Sequence, residues 1–396
     1  MNILVLGAYN SCNLGDAVIC ECVAHMLQKR FPEAHITIKD FIHRNRLIPR
    51  REPDVHSMKK RRIHSSIRRI IIGIYPGEWD VRREKKRVES NISQIEQVCR
   101  METDLVVVAG GQLFMDRYAL FLEAYLTKFA DRGIPVIINA CGTGPNMSKE
   151  IAIRLKATLM HPGVKKISCR DDVDLVNGCY LAAGKKADAT FDPALAAWQI
   201  YSSVDLEQSK SGCIGLGVKE PNGKEYKKTI TFWQNIIRLL EKRGIRWQFF
   251  TNGDPIDKAF ARAVIHTLPE LKERENELLR PCDIRPEELV ETIKSYDGLI
   301  SFRLHSHIIA AALNIPTVAV VWDEKLLYFF EKIGCPERCV TIKHSPQKVF
   351  AIFERACKEG YDIDRIRHQE DVAAKWLLEA VEEVMELEFP KEKAYE

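Results

Sequence analysis

The sequence predicts an α/β protein built from two doubly wound domains. Short apolar runs rich in β-branched residues alternate with longer segments whose apolar residues recur at helical spacing, which is the pattern of βαβ units. Some of these runs, such as residues 104–109, are continuously apolar after their first residue, as strands of a parallel sheet buried on both faces must be. A length of 396 residues suits two or three domains, and 46% hydrophobic with 29% charged residues is typical of a globular protein.

The chain begins with a strand, a polar loop and a helix. Residues 2–6 form the apolar strand, residues 7–16 a loop bounded by glycine, and residues 17–27 a helix for which Asp16 is a capping residue. Strand, glycine-containing loop and helix N-terminus together are typical of phosphate or sugar sites. The spacing is neither that of a dinucleotide fingerprint nor that of a P-loop, so a tight βα turn explains the loop equally well. A second strand follows at residues 34–38.

A basic segment interrupts the first domain at residues 44–87. It holds fifteen lysines and arginines against five acidic residues, a local charge of +10 in a chain of net charge +4. Basic residues beside apolar ones favour anionic lipid by about 1 kcal/mol each, so the segment is a candidate patch for an anionic membrane surface. A solvated, partly disordered insertion explains it equally well. Nucleic acid is not expected, because only Tyr75 and Trp79 offer aromatic stacking within the segment.

The rest of the first domain repeats the pattern of strand, loop and helix. Glycine-rich loops follow two strands, at residues 110–116 and 140–145, and Arg170 with Asp171 follows a third. Because parallel strands place their carboxyl ends at one sheet edge, these segments lie where open α/β sheets bind ligands. We place this domain at residues 1–200. Its predicted strands here are residues 104–109, 136–139 and 165–168, and its predicted helices are residues 118–132 and 148–160.

A polar, serine-rich stretch at residues 201–211 is predicted to link this domain to a second one at residues 212–360. The second domain starts with a strand at residues 213–217. Ligands are expected to bind in the cleft between the two domains. The segment 361–396 contains an amphipathic helix from about residue 371 to 387, which we expect to pack back across both domains. The other predicted helices are residues 226–243, 257–266, 286–295, 325–333 and 346–357, and a further strand is residues 247–251.

Residues 297–325 form the centre of the second domain. A strand at residues 298–300 ends at Ser301, an N-cap residue, so Arg303 and His305 are expected in the first turns of a helix. The positive helix end and its free N–H groups favour an anion, and an arginine and a histidine strengthen that preference. Taken alone, this strand and helix do not require an anion site. A pairing of Arg303 with a surface carboxylate and packing of His305 in the core explain them better.

Composition and spacing exclude several classes of protein. Met1 is followed directly by a strand, so no signal peptide is expected, and no apolar run approaches the roughly 20 residues of a spanning helix. The twelve cysteines include no CxxC pair, which fits reduced thiols in a cytoplasmic protein. Cys335 and Cys339 are spaced CxxxC without a second ligand pair, so a zinc site is not expected.

Five motifs, in order along the chain, resemble those of the polysaccharide pyruvyl transferase family. Asn13, Gly15 and Asp16 resemble its N-terminal G-x-x-N-x-G-D loop. Residues 110–116 resemble its GGG-x-L-F-x-D element, and residues 168–171 and 192–193 resemble its S-x-R-D and D-P elements. Residues 301–305, with the later residues 322–325, resemble its S-x-R-L-H … D-x-K element.

The order and rough spacing of these motifs agree over nearly the whole chain. Three features depart from the family pattern. Gln112 stands where a third glycine is often found, Phe302 precedes the arginine, and the basic segment is not accounted for. Gln112 is expected to alter the acceptor site.

The resemblance implies a GT-B-like fold, in which two Rossmann-like domains face a cleft. It also implies transfer of the enolpyruvyl group of phosphoenolpyruvate to two hydroxyls of a sugar, which gives a ketal and phosphate. The acceptor would be a lipid-linked saccharide of capsule or exopolysaccharide biosynthesis, at the inner membrane face. The first domain would take the acceptor and the second phosphoenolpyruvate, and the reaction requires no metal, nucleotide or redox cofactor.

The residues suit that chemistry. Planar arginine forks bind both phosphate and carboxylate, and Arg303 and Arg170 come from different domains. His305 is the candidate acid/base because a group that titrates near pH 7 suits proton transfer, and Asp16 is expected to orient or deprotonate the acceptor. The predicted substrate-binding residues are Arg303, Arg170, Lys325, Asn13, Gly15, Gly110, Gly111, Asp116 and Ser301.

Other functions remain open on this sequence. A GT-B glycosyltransferase that uses a nucleotide sugar is the nearest enzymatic alternative, because fold does not fix function. A non-catalytic carbohydrate-binding protein would not need the arginine and the histidine. A metal hydrolase using His305 and His307 is less favoured, because residues two apart on a helix point to different faces.

Overall fold

The computed structural model describes residues 1–42, 53, 78–144, 147–201, 212–221 and 223–388. These residues form two β-sheets, one in each half of the chain, and all paired strands are parallel. At least one helix lies along the chain between any two paired strands, as parallel pairing requires. The predicted α/β class with two doubly wound sheets is therefore confirmed.

The first sheet has seven strands, of which β3 is apolar and buried along its whole length. Its strands are β1 (Asn2–Gly7), β2 (His35–Asp40), β3 (Leu105–Val108), β4 (Gly111–Phe114), β5 (Val136–Thr143), β6 (Val164–Cys169) and β7 (Asp188–Ala189). They are ordered β2–β1–β3–β5–β6–β7, and β4 lies beside β5. The helices of this half are α1 (Leu14–Arg30), α2 (Glu78–Glu89), α3 (Ile92–Cys99), α4 (Asp116–Asp131), α5 (Lys149–Leu159), α6 (Val173–Leu175) and α7 (Ala197–Tyr201).

Two predicted glycine loops of this half are partly strand. The segment predicted as a loop at residues 110–116 contains β4, and β5 continues four residues beyond its predicted end at residue 139. The two extensions pair with each other, Gly111 beside Cys141 and Phe114 beside Thr143. Leu113 and Phe114 are buried by this pairing, and their burial outweighs the turn preference of the glycines before them.

The second sheet has five strands. They are β8 (Cys213–Gly217), β9 (Arg246–Phe250), β10 (Gly298–Ser301), β11 (Thr317–Val320) and β12 (Cys339–Val340), in the order β12–β11–β10–β8–β9. The helices are α8 (Tyr226–Lys242), α9 (Pro255–Ile265), α10 (Glu275–Leu278), α11 (Pro286–Lys294), α12 (Leu304–Ala312), α13 (Glu324–Lys332), α14 (Pro346–Glu359) and α15 (Ile363–Glu388).

The last helix, α15, contacts both halves of the chain. Its first turns contact the second half, where the side-chain amide of Gln369 donates to the carbonyl oxygen of Lys332 (2.6 Å). Its later turns contact the first half, where the indole of Trp376 donates to Asp188 (3.0 Å). The predicted start near residue 371 was wrong, because α15 begins at Ile363 with a strongly charged stretch that hides the apolar spacing. The proposed domain limits stay a prediction.

Most of the basic segment 44–87 lies outside the described residues, which resume with α2. Within α2 the side chain of Val81 is buried, and Glu84 is buried between Arg83 and Arg87. These two arginines are therefore committed to an internal carboxylate. Among the described residues, no helix is long and apolar enough to cross a membrane.

A buried hydrogen-bond chain fixes the carboxyl end of β10. The Nε2–H of His307 donates to the carbonyl oxygen of Ser301 (3.0 Å), so Nδ1 accepts from the hydroxyl of Thr317 (2.9 Å). The Thr317 hydroxyl in turn contacts that of Tyr361 (2.8 Å). Burial lowers the pKa of His307 to about 4, so the ring is neutral, as this chain requires.

We expect acid to destabilise the fold through His307. Histidines of an unfolded chain take up protons near pH ~6.5, whereas folded His307 does so only near 4. Below about pH 6.5 the unfolded state therefore binds more protons, and stability on the order of 3 kcal/mol is lost as the pH falls towards 4. His307→Gln is expected to melt at a lower temperature than wild type near neutral pH.

The melting temperature of His307→Gln should also fall less than that of wild type when the pH is lowered from about 7.5 to about 5. His368→Gln, at an exposed position, is the control and should follow the wild-type dependence. Identical pH dependences for all three proteins would contradict a neutral, buried His307.

Candidate functional site

Loops at the carboxyl ends of strands from both sheets enclose one cavity of about 400 Å³. The loops after β1, β6, β9, β10 and β11 all contribute to it, because parallel strands bring their carboxyl ends to one edge. Four cations and two carboxylates line it, so its inner surface carries an excess of positive charge. They are Arg117, Arg170, Arg303, Lys325, Asp16 and Asp254.

Arg303 is held in place by a buried carboxylate. Its Nε donates to Oδ2 of Asp257 (2.8 Å), and its Nη2 donates to the same oxygen. Nη1 makes no hydrogen bond to the described residues. Asp257 is buried in α9, so the predicted alternative of a surface carboxylate was wrong. The pair orients a guanidinium whose remaining N–H groups are free to bind an anion in the cavity.

The turn before α12 differs from its prediction. The helix begins at Leu304, and Arg303 rather than Ser301 is the N-cap residue. The hydroxyl of Ser301 accepts from the backbone N–H of Arg303 (3.0 Å) and is fully buried, so it shapes the turn and does not line the cavity. The helix starts late because extended backbone at Arg303 precedes it.

His305 packs directly against the other half of the chain. A Cβ atom placed on Gly15 would lie 2.3 Å from Cβ and Cγ of His305, so only glycine fits there. Nδ1 of the ring is 3.4 Å from Nδ2 of Asn13, and Nε2 is 3.2 Å from Nη1 of Arg170. Burial, with Arg170 nearby, lowers the pKa of His305 to about 4. The expected titration near pH 7 is therefore wrong for the unliganded protein.

Arg170 is the cation of the first half that reaches this histidine. Its Nη1 donates to Asp192, a buried carboxylate that also accepts from the backbone N–H of Ala194 (2.9 Å). The carbonyl oxygen of Arg170 accepts from Nζ of Lys332, at the end of α13 (2.6 Å). Lys332 also donates to the carbonyl oxygen of Thr190 (3.2 Å), so the second half holds the backbone around Arg170.

Lys325 crosses the cavity to the first half. Its Nζ donates to Oε1 of Gln112 (2.9 Å) and lies 3.5 Å from a carboxylate oxygen of Asp323. Gln112 itself donates to the carbonyl oxygen of Thr143 (2.8 Å). Burial lowers the pKa of Lys325, although Asp323 opposes the shift. Gln112 therefore contacts Lys325, a predicted site residue. In the family motif, a third glycine is often found at the position of Gln112.

Asp16 presents a carboxylate to the same cavity. It lies in the first turn of α1, which begins at Leu14, so the prediction that Asp16 caps this helix was wrong. Among the described residues, its carboxylate has no hydrogen-bond or ion-pair partner. Gly111 lies beside it, since a Cβ atom there would be 3.6 Å from Oδ1 of Asp16. An unpaired carboxylate next to cations is suited to bind a hydroxyl group.

Three of the other predicted site residues do not line the cavity. Oδ1 of Asp116 accepts from the backbone N–H of Ser148 (2.9 Å) and ties α4 to α5. Gly110 and Gly111 have φ of 104° and 91°, and a Cβ on Gly110 would approach the carbonyl oxygen of Asn139 to 2.9 Å. These residues shape the loop, and their assignment as substrate ligands stays a prediction.

The structure adds site residues that were not predicted as such. Asp257 and Asp192 hold the two arginines, Asn252 lines the cavity, and Trp322 lies at its edge with its indole N–H donating to the carbonyl oxygen of Phe302 (2.6 Å). Asp192 and Trp322 belong to motifs noticed in the sequence, whereas nothing in the sequence marked Asp257. Within the described part of the chain, no cluster of three histidine, cysteine or acidic side chains is arranged to hold a metal ion.

Comparison with known proteins identifies one matching family. The family model described as polysaccharide pyruvyl transferase matches residues 13–324. No curated protein matches the chain.

Solved structures show the fold. The UDP-GlcNAc 2-epimerase of Methanocaldococcus jannaschii aligns with a TM-score of 0.58 at 12% identity, over 96% of this chain and 100% of that one. MnaA of S. aureus, solved with UDP, aligns with a TM-score of 0.54 at 12% identity, over 98% and 97%. The UDP-GlcNAc 2-epimerase of Neisseria meningitidis bound to UDP-GlcNAc aligns with a TM-score of 0.54 at 12% identity, over 97% of this chain and 100% of that one. The predicted GT-B-like fold is confirmed.

Gly15→Ala is expected to destabilise the contact between the halves. Its methyl group would lie 2.3–2.4 Å from His305, and one of the two helix ends must shift. Overpacking of this kind typically costs about 1–3 kcal/mol, which thermal melting would detect. Gly178→Ala is the matched control, because nothing lies within 4 Å of a Cβ atom at that position. Equal melting temperatures for the two variants would show that the contact is not tight.

Proposed function

This chain belongs to the polysaccharide pyruvyl transferase family, and we propose that it transfers the enolpyruvyl group of phosphoenolpyruvate onto two hydroxyls of one saccharide. The product is a pyruvate ketal, and phosphate is released. Family membership makes the protein a transferase with a pyruvyl donor and a saccharide acceptor. The identity of the donor and the roles below are part of the proposal.

The observation that carries this proposal is the pair of arginines in the cavity. Arg303 comes from the second half and Arg170 from the first, and each is oriented by its own buried carboxylate. Phosphoenolpyruvate carries a phosphate and a carboxylate on a small frame, and planar guanidinium groups bind both. Lys325 adds a third cation to the same cavity. Arg303, Arg170 and Lys325 are therefore proposed as the donor-binding residues.

The reaction needs three proton movements. The methylene carbon of the donor gains a proton, which makes its neighbour an oxocarbenium-like carbon that the first hydroxyl attacks. The first hydroxyl loses its proton to the protein. The second hydroxyl then replaces the phosphate, and its proton leaves with the phosphate, so atoms and charges balance.

His305 is proposed to supply the proton to the methylene carbon. In the unliganded protein it is neutral, because burial and Arg170 lower its pKa. The negative charge of a bound donor opposes both the desolvation and the field of Arg170, so it favours the imidazolium. His305 would then take up its proton together with the donor.

Asp16 is proposed to take the proton of the first hydroxyl. It lies in the first half of the chain, across the cavity from Arg303, and its carboxylate has no partner among the described residues. Gly15, directly before it, lets α1 approach His305 closely. The donor and the acceptor would therefore meet between the two helix N-termini.

A lipid-linked acceptor and membrane docking through residues 44–87 are a further part of this proposal. The support is the local charge of +10 in that segment, most of which the structure does not describe. Sedimentation with liposomes tests the docking: binding should require anionic lipid and weaken with salt. Equal binding to neutral and anionic liposomes would contradict it.

Arg303→Lys tests the donor assignment. The charge is retained, but the two-pronged contact to Asp257 and the fixed orientation of the guanidinium are lost, so phosphoenolpyruvate should bind at least tenfold more weakly by calorimetry. Removal of one partner of a charged hydrogen bond typically costs ~2–5 kcal/mol. Arg285→Lys, at an exposed position that does not line the cavity, is the control. Stabilisation of wild type by UDP-GlcNAc but not by phosphoenolpyruvate would instead favour a nucleotide-sugar enzyme.

His305→Asn tests the acid/base role. Loss of a general acid/base lowers turnover by roughly 10²–10⁴-fold, whereas donor affinity should change little because the arginines supply most of the anion binding. Single-turnover phosphate release and calorimetric binding, measured on the same preparation, separate the two. Near-normal phosphate release by the folded variant would remove His305 from the mechanism.

A further inference from the structure

His305 has a polar neighbour at each ring nitrogen, and the two neighbours decide its tautomer. Nε2 lies 3.2 Å from Nη1 of Arg170. A guanidinium only donates hydrogen bonds, so Nε2 must present a lone pair to it. A neutral imidazole carries one proton, which is then on Nδ1, and an Nδ1–H group needs an acceptor.

The amide of Asn13 can be that acceptor. Its Nδ2 lies 3.4 Å from Nδ1 of His305, an arrangement in which two donors face each other. Its Oδ1 is buried and has no hydrogen-bond partner among the described residues. The oxygen and nitrogen of a side-chain amide differ little in shape, so a half turn of the amide exchanges them. That single rotation pairs Oδ1 with Nδ1–H and removes the conflict between the two donors.

We propose that Asn13 is the positioning residue of His305. Its carbonyl oxygen accepts from Nδ1–H and fixes the Nδ1-protonated tautomer. Nε2 is then unprotonated in the free protein, and it exchanges protons with the reactants when a bound donor engages Arg170 in its place. The sequence motif placed Asn13 among the substrate ligands, whereas this geometry gives it a role through His305. Only the proton exchange at Nε2 rests on the proposed function. The tautomer and the contact with Asn13 do not depend on it.

The charges around His305 agree with a neutral ring in the free protein. Burial and the cations Arg170 and Lys325 lower its pKa, and the carboxylates of Asp16 and Asp192 oppose them. These groups come from the loop after β6, from α13, from α1 and from the segment before α7. Their balance leaves one proton on the ring, and the contacts at its two nitrogens decide where that proton lies.

Nitrogen NMR of histidine-labelled protein without substrate reads the tautomer directly. Long-range proton–nitrogen correlations distinguish Nδ1–H from Nε2–H and from imidazolium, and the signals missing in His305→Asn assign the residue. We expect neutral His305 with Nδ1–H near neutral pH. An Nε2–H ring or an imidazolium would overturn the proposal, whether or not pyruvyl transfer is found.

Two substitutions at Asn13 test its role. Asn13→Leu removes the acceptor, so turnover should fall ~10–100-fold, as for other residues that orient a functional histidine, with donor affinity nearly unchanged. Asn13→Asp supplies a charged acceptor, so the pKa of His305 and the pH profile of turnover should move upwards. Asn10→Ala, in the same loop but outside the cavity lining, should leave both unchanged.

Two results would overturn the assignment. If Asn13→Leu weakened donor binding as strongly as it lowers turnover, Asn13 would be a substrate ligand. If Asn13→Asp kept the wild-type pH profile, the amide would not contact the ring. Because the spectrum of the wild-type protein already decides the tautomer, a failure of either variant to fold leaves the proposal testable.

Discussion

The packing of His305 against Gly15 is the contact on which the site depends. It joins the first turn of α1 to the first turn of α12, two helices that belong to different sheets. Because Gly15 has no side chain, the two helix N-termini meet, and Asn13 and Asp16 are carried to the histidine. A larger residue at this position would separate the groups that the proposed reaction needs together.

Buried carboxylates behind the arginines are the second constraint. Asp257 orients Arg303, and Asp192 orients Arg170, and both carboxylates are almost fully buried. Taking such pairs out of water is costly, and their net contribution to stability is often near zero. Their effect is therefore better described as orientation: each guanidinium is already fixed before an anion arrives, so less conformational entropy is lost on binding.

The sequence predicted some of the residues that line the cavity, but not how they are held. Arg303 and Arg170 follow strands, and His305 and Asp16 lie in the first turns of helices. In parallel sheets such positions share one edge, so the pattern was sufficient for these four residues. Asp257 was missed because its partner is 46 residues away and no local spacing relates an acidic residue in α9 to a turn after β10.

Local pattern was also insufficient at element ends. The start of α12 was placed at Ser301 because serine is a good cap, but the hydroxyl satisfies the N–H of Arg303 and the helix begins after it. The pKa of His305 depends on its burial and on Arg170, neither of which a linear sequence displays. The role of the basic segment 44–87 stays a prediction.

The contact of Lys332 with the carbonyl oxygen of Arg170 links cleft opening to anion affinity. An ammonium of the second half holds the backbone of a guanidinium that belongs to the first half. A movement that parted the halves would break this charged hydrogen bond, while the bond from Arg170 to Asp192 within the first half would remain. If such a form bound an anion more weakly, an anion in the cavity would favour the closed form by the same factor. Lys332 would then contribute to anion affinity without touching the anion.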